Sequence, residues 1–413
     1  MVRTLLIVII VGIISCSKQE NPTERLKKQY LATLITNGGE NNFPIYIEKD
    51  GKELSAYVVN GVDTARFTSV KEISPDSIQL SFEHYDSHIY AKVDHNGNLH
   101  GRWEKRLAGG VYEPVLFSAK PSQTDKRYPN HNKLSILDGE WSVIFTKEDG
   151  SFYPAIGIFS ASDAQLNGTF LTETGDYRFL EGVLRADSTF ILSDFDGGHA
   201  FRFSGKLLQN GSISGDFYSR KTYHETFTGI RQSQNLQDPF KIAKILKPDE
   251  SVSIKFPDVD GKIVSIDEEP YKNKPLIVYL FGSWCPNCAD LSKMLKALYE
   301  NTYQNSDLQI LALAFEYTGE FSSDAEMVKR YKSRFNLPWD ALVAGTSDKE
   351  AASDLLPFIE KVTSFPTTFF LNKQHKIEAV HVGFRGPGTG AYHELEKQAF
   401  INQINALLHH ETN

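Results

Sequence analysis

The chain has 413 residues, more than one ordinary hydrophobic core accommodates, so two or three domains are expected. With 40% hydrophobic and 23% charged residues it falls outside the disordered and the many-spanning membrane classes. Its 44 Lys+Arg against 52 Asp+Glu give a formal charge of −8, which argues against a nucleic-acid binder, because that function needs a basic face.

Residues 1–16 read MVRTLLIVIIVGIISC, with Arg3 as a positive leader before an apolar run over 5–14. A membrane span needs about 20 apolar residues, so a secretory signal fits better. Ile13-Ile14-Ser15-Cys16 resembles a bacterial lipobox, which implies cleavage before Cys16 and lipid modification of its thiol. On this reading residues 17–39 are a tether, and the protein works in the cell envelope outside the reducing cytosol. Ser17 after the cysteine does not indicate inner-membrane retention, and the final leaflet stays open.

Residues 40–235 are rich in turn dipeptides: Asp50-Gly51, Asn60-Gly61, Asn96-Gly97, Asp149-Gly150, Asn167-Gly168 and Asn210-Gly211. Such pairs accept the positive φ angles of tight hairpins, and alternating runs such as Phe43-Ile45-Ile47 lie between them. The 27 Phe and 18 Tyr of the chain lean the same way. An antiparallel all-β domain is expected.

It also repeats. Tyr85-Asp86-Ser87-His88 parallels Phe195-Asp196-Gly197-Gly198-His199, and Asn96-Gly97 with Trp103 and Arg106 parallels Asn210-Gly211 with Phe217 and Arg220. Arg66-Phe67 matches Arg178-Phe179 in the same order. Two copies of a meander, about 40–120 and 134–235, are expected to close into one barrel or sandwich. His88 and His199 fall at equivalent places, each after an Asp; turn and strand-end roles are the preferred reading over a ligand or metal site.

From residue 250 to 413 strands alternate with helices. Phe256 to Lys262 reads as a small hairpin turning at Asp260-Gly261. Leu276–Phe281 is a continuous apolar run, as in a strand covered on both faces, and it leads into Trp284-Cys285-Pro286-Asn287-Cys288. Leu291, Leu295 and Leu298 then form one helical stripe. The cysteines therefore stand in the first turn of a helix, whose unsatisfied N–H groups favour a thiolate at Cys285. Cys288 lies one turn later on the same face, placed to resolve a mixed disulfide, and Pro286 suits the first helical position. Trp284 is expected to shield the pair while leaving Cys285 exposed. Further elements are strands over 308–315, 368–371 and Ile377–Val382, a helix over 324–335 and a final helix carrying Phe400, Ile404, Leu407 and Leu408.

The stretch from about Val252 to Leu408 resembles the thioredoxin-fold domain of TlpA/ResA-like disulfide oxidoreductases. The matching pieces are Trp284-Cys285-Pro286-Asn287-Cys288 and the later Phe365-Pro366-Thr367-Thr368-Phe369. The resemblance implies a cis Pro366 opposite the cysteines, with the backbone of Phe365 offered to a substrate strand. It also implies that the stretch between Phe335 and Pro366 is a segment added to thioredoxin itself. Thioredoxin proper carries a buried acid six residues before its first active-site Cys, where this chain has Tyr279. ResA-like members place a glutamate at the end of the next strand, which makes Glu316 the candidate proton acceptor for Cys288; a solvated strand-end carboxylate is the alternative.

A structural zinc site needs four ligands, and the chain has only Cys16, Cys285 and Cys288, with His375, His381 and His393 scattered. A staple across two residues closes almost no loop. The expectation is thus a multi-domain protein, antiparallel all-β followed by an α/β thioredoxin-like fold, acting as an extracytoplasmic disulfide oxidoreductase. Resemblance tilts it toward a reductase. Expected partners are protein thiols and disulfides, an unknown membrane or periplasmic electron donor, and the membrane through a lipid anchor, with no cofactor, metal or nucleic acid. The alternatives are a peroxiredoxin-like peroxidase, or a lipoprotein whose β-domain binds the ligand that matters.

Overall fold

The computed structural model describes residues 21–51, 53–123, 135–162 and 165–409. The signal-like segment and Cys16 lie outside the described residues.

The repeats build two sheets rather than one shared barrel. In the first, nine antiparallel strands run from Gln29–Thr36 to Tyr112–Pro121, and the first strand pairs with the last. The second also has nine strands, from Gly139–Lys147 to Tyr223–Ile230, and closes on itself because Phe152–Ser162 pairs with both Gly139–Lys147 and Gln165–Thr172. Strands pair only within their own copy, and the first sheet keeps two edges, Asp63–Arg66 and Ser69–Ser74. The second barrel has no open lumen at its centre: Phe170 stacks on Phe203 at 4.7 Å and Phe203 on Phe217 at 4.5 Å.

Side chains from both copies interlock the two sheets. Phe195, from the second copy, inserts into the core of the first, 4.4 Å from Phe43 and 5.2 Å from Trp103. Asn60 of the first copy donates to the Phe195 carbonyl at 2.9 Å.

Two expectations need correction. Residues 21–39 are not a tether: Pro22–Arg25 is a helical turn, and Gln29–Thr36 is a central strand that buries Tyr30, Ala32 and Leu34. Alternate apolar positions in YLATLI satisfy a half-buried strand, which a solvated linker cannot offer. Five of the six turn dipeptides place glycine at positive φ, but Asn167-Gly168 lies inside the strand Gln165–Thr172. There the bare Gly168 leaves room for the backbone of the neighbouring strand, since a Cβ would stand 2.4 Å from the Ile158 oxygen.

The C-terminal part is a five-stranded mixed sheet in the order Asp340–Thr346, Gln309–Glu316, Leu276–Phe281, Thr367–Leu371, Ile377–Val382. The first three strands are parallel and the last two antiparallel to their neighbours. Leu276–Phe281 is central and buried at every residue, as its unbroken apolar run requires. The helices Pro286–Leu298, Phe321–Phe335 and Ala391–His409 pack Leu291, Val328 and Phe400 into the same core. This is a thioredoxin-like fold. The segment after Phe335 supplies an edge strand, Asp340–Thr346, and a short helix, Lys349–Asp354, that no sequence pattern had marked.

Candidate functional site

The strand Leu276–Phe281 ends at Gly282, where a Cβ would collide with the Trp284 ring at 2.1 Å. Glycine therefore lets the indole fold back over the turn. Its Nε1–H donates to the Phe315 carbonyl at 2.9 Å, and the ring stacks on Tyr317 at 4.9 Å. Cys285 caps the following helix: its Sγ accepts from the Cys288 N–H at 3.2 Å, so the sulfur sits at the positive end of the helix dipole. Cys285 and Cys288 form a disulfide, with Cα atoms 5.3 Å apart.

Opposite the pair, the Phe365–Pro366 peptide is cis, and the Phe365 carbonyl lies 3.7 Å from the Cys285 sulfur. The Phe365 ring meets Trp284 edge-on at 5.8 Å. Beneath the motif, Glu316 is 2% exposed and accepts two bonds from Ser283, N–H and hydroxyl, each at 2.7 Å. Burial pushes its carboxyl up to about 7, against the opposing effect of those two donors. Tyr279 is buried, and its phenol oxygen accepts from Ser292 and from the Trp339 ring N–H, both at 3.1 Å. Desolvation pushes that phenol up to about 12, so it stays neutral at physiological pH. Trp284, Cys285, Cys288, Phe365, Pro366 and Glu316 thus converge on one place.

Cys285 is not the exposed thiol that the sequence suggested, being only 6% exposed. The all-β part packs on the residues around it. Gly198 abuts the Pro286 ring, with room for no Cβ, since one would lie 2.4 Å from the ring carbon Cγ. The Asn287 amide donates to the Asp176 carbonyl at 3.1 Å, and Ser364 donates to the Thr174 carbonyl at 3.2 Å. Arg178 is buried and pairs with Asp290 of the motif helix and with Asp196 at 2.8 Å. Lys105 reaches in from the first sheet and donates to the Trp284 carbonyl at 3.1 Å.

None of these covering residues was found from sequence. The one available signal was the repeat itself: the loop 196–199 that touches the motif is the counterpart of 86–88, which packs near the helix Phe321–Phe335 through Arg106 and Ser323. His88 and His199 do not share a site. His88 bonds Asp86 at 3.1 Å, Ser81 and Gln79, whereas His199 lies 3.4 Å from Asp196. Asp194, Asp196 and His199 bring ligand atoms within 4.8 Å, but the Asp196 carboxylate is already taken by Arg178.

Residues 248–380 match the AhpC/TSA family model. No curated protein matches the chain. Among solved structures, the chain is similar to a thiol:disulfide interchange protein of the thioredoxin family from Chlorobium tepidum TLS, with 21% identity, 39% of this chain and 97% of that one covered, and a TM-score of 0.30. It is also similar to a thiol-disulfide oxidoreductase from Bacteroides fragilis NCTC 9343, with 22% identity, 36% and 99% covered, and a TM-score of 0.27. A DsbF homologue from Corynebacterium diphtheriae gives 18% identity, 43% and 99% covered, and a TM-score of 0.31.

Proposed function

We propose that this chain is an extracytoplasmic thiol–disulfide oxidoreductase that reduces protein disulfides through Cys285 and Cys288. The observation that carries the reading is the joining of the two sulfurs at a helix tip, with the Phe365 carbonyl and cis Pro366 alongside. In the reduced enzyme the Cys285 thiolate attacks one sulfur of a client disulfide and expels the other as a thiolate. Cys288 then attacks Cys285, releasing the client's second thiolate and closing the Cys285–Cys288 disulfide. Two electrons pass to the client, and a dithiol donor restores the pair.

Glu316 takes the proton of Cys288 in the second step. Its raised pKa suits a group that must accept a proton near neutrality. Trp284, Phe365 and Pro366 form the wall along which a client chain lies. The lipobox-like end at Cys16 supports an anchored envelope lipoprotein, whose donor is a membrane or periplasmic dithiol protein. Among the described residues no helix is long and apolar enough to cross a membrane.

The test is turnover of a disulfide-bonded protein with a dithiol reductant. The wild type accelerates it, and Cys285→Ser abolishes the acceleration. A second reading, a peroxiredoxin-like peroxidase, is favoured by the AhpC/TSA match. Peroxide consumption that depends on Cys285, without disulfide turnover, selects it. The contacts that Lys105, Asp176 and Arg178 of the β-part make with the motif support a reading in which that part serves the redox pair.

A further inference from the structure

The strand Leu99–Arg106 turns Leu99, Trp103 and Lys105 inward, all of them buried. A lysine at an inward strand position is costly, because burial opposes the charged ammonium. Its place in the fold does not demand it: the repeat counterpart, two residues after Phe217, is Ser219. Lys105 donates to the Gly198 carbonyl at 2.6 Å and to the Trp284 carbonyl at 3.1 Å, and lies 5.8 Å from the centre of the Tyr85 ring. Among the described residues no carboxylate stands within ion-pair distance of it. Asp196, the acid whose charge acts on it, is committed to Arg178 and His199.

Trp284 is the residue immediately before Cys285, so the ammonium is bonded to the carbonyl of the peptide that leads into that cysteine. We propose that Lys105, carried in from the all-β part, is a positioning residue of the redox pair: its ammonium stabilises the Cys285 thiolate that forms on reduction. This rests on the thiol–disulfide reading above. Reduction by a dithiol adds two electrons, breaks the Cys285–Cys288 bond and oxidises the donor to its disulfide. Cys288 keeps a proton and Cys285 releases its own to solvent, leaving an anion beside a cation that had only neutral partners.

Burial lowers the Lys105 pKa to about 7 in the oxidised protein, so its charge is free to respond to a new neighbour. The groups facing it are Asp196, His199, Arg220, His84 and Tyr85, with Glu316 beneath the motif. Arg220 and the half-buried His199 add no anion that could replace a thiolate.

Linkage is reciprocal, so each charge must report the other. The first test is the titration of Lys105 in the wild-type protein carrying 13Cε-labelled lysine, oxidised and then reduced with dithiothreitol. Its midpoint should rise by about one unit or more on reduction; an unmoved midpoint overturns the proposal. The second is the pH profile of Cys285 alkylation. Lys105→Met should move the midpoint up by about one unit, with alkylation near neutral pH slowed roughly tenfold, and Lys105→Arg should largely restore it. A Lys105→Met profile that is faster at every pH with the same midpoint means a merely structural role. If Lys105→Met fails to fold, the wild-type titration decides alone. A wild type without disulfide exchange overturns the functional reading, whereas exchange with an unmoved Lys105 overturns only this one.

Discussion

Arg178, from the closed barrel, is ion-paired with Asp290 in the helix that begins at Cys285, and both are buried. The same guanidinium holds Asp196 at 2.8 Å and approaches Asp63 of the first sheet at 3.5 Å. One cation thus ties both β-sheets to the helix that carries the redox pair. Two of its three carboxylates, Asp196 and Asp290, are almost fully out of water.

Arg178→Met should therefore cost about 3 kcal/mol, because it removes the one buried guanidinium shared by Asp196 and Asp290 and leaves them only His199 and the more exposed Lys293. Urea unfolding at neutral pH should show the loss. A loss below about 1 kcal/mol, typical of exposed pairs, contradicts the buried-network account.

Much of the C-terminal fold was legible because its signals are local. The unbroken LIVYLF run marks a doubly covered strand, and Pro286 marks the first turn of the helix after it. The edge strand Asp340–Thr346 escaped because its apolar core is short and its flanks are polar. What covers Cys285 was not legible. Lys105 meets Trp284 across 179 positions of sequence and Arg178 meets Asp290 across 112, and no periodicity encodes such a contact. The repeat showed that two copies exist, but not that Phe195 of one would fill the core of the other.

Glu316→Gln should change both stability and rate. Burial raises the folded-state pKa of Glu316 to about 7 from its ordinary 4.5. The folded state therefore favours the proton, and that stability is present at low pH and lost as pH rises toward and through 7. Gln cannot ionise, so the oxidised variant should gain on the wild type by on the order of 3 kcal/mol between pH 5 and pH 8 in urea titrations. A constant difference across that range contradicts a buried, titrating carboxyl. Resolution of the mixed disulfide by Cys288 should slow in the variant and lose its inflection near pH 7.

Gly198→Val should loosen the cover over the motif, since even a Cβ there would stand 2.4 Å from the Pro286 ring. After reduction, Cys285 should react with an uncharged alkylating agent several-fold faster than in the wild type at alkaline pH, where the thiol is ionised in both. An equal rate means that the contact with Gly198 does not limit access to Cys285.

The division of labour between the two sulfurs is tested most directly by trapping. Cys288→Ser, reduced and mixed with a disulfide-bonded client protein, is predicted to accumulate a covalent adduct through Cys285, located by mass spectrometry of the non-reduced peptides. Cys285→Ser should accumulate none, because Cys288 is fully buried behind it. An adduct through Cys288, or none from either variant with a client that the wild type reduces, contradicts the account.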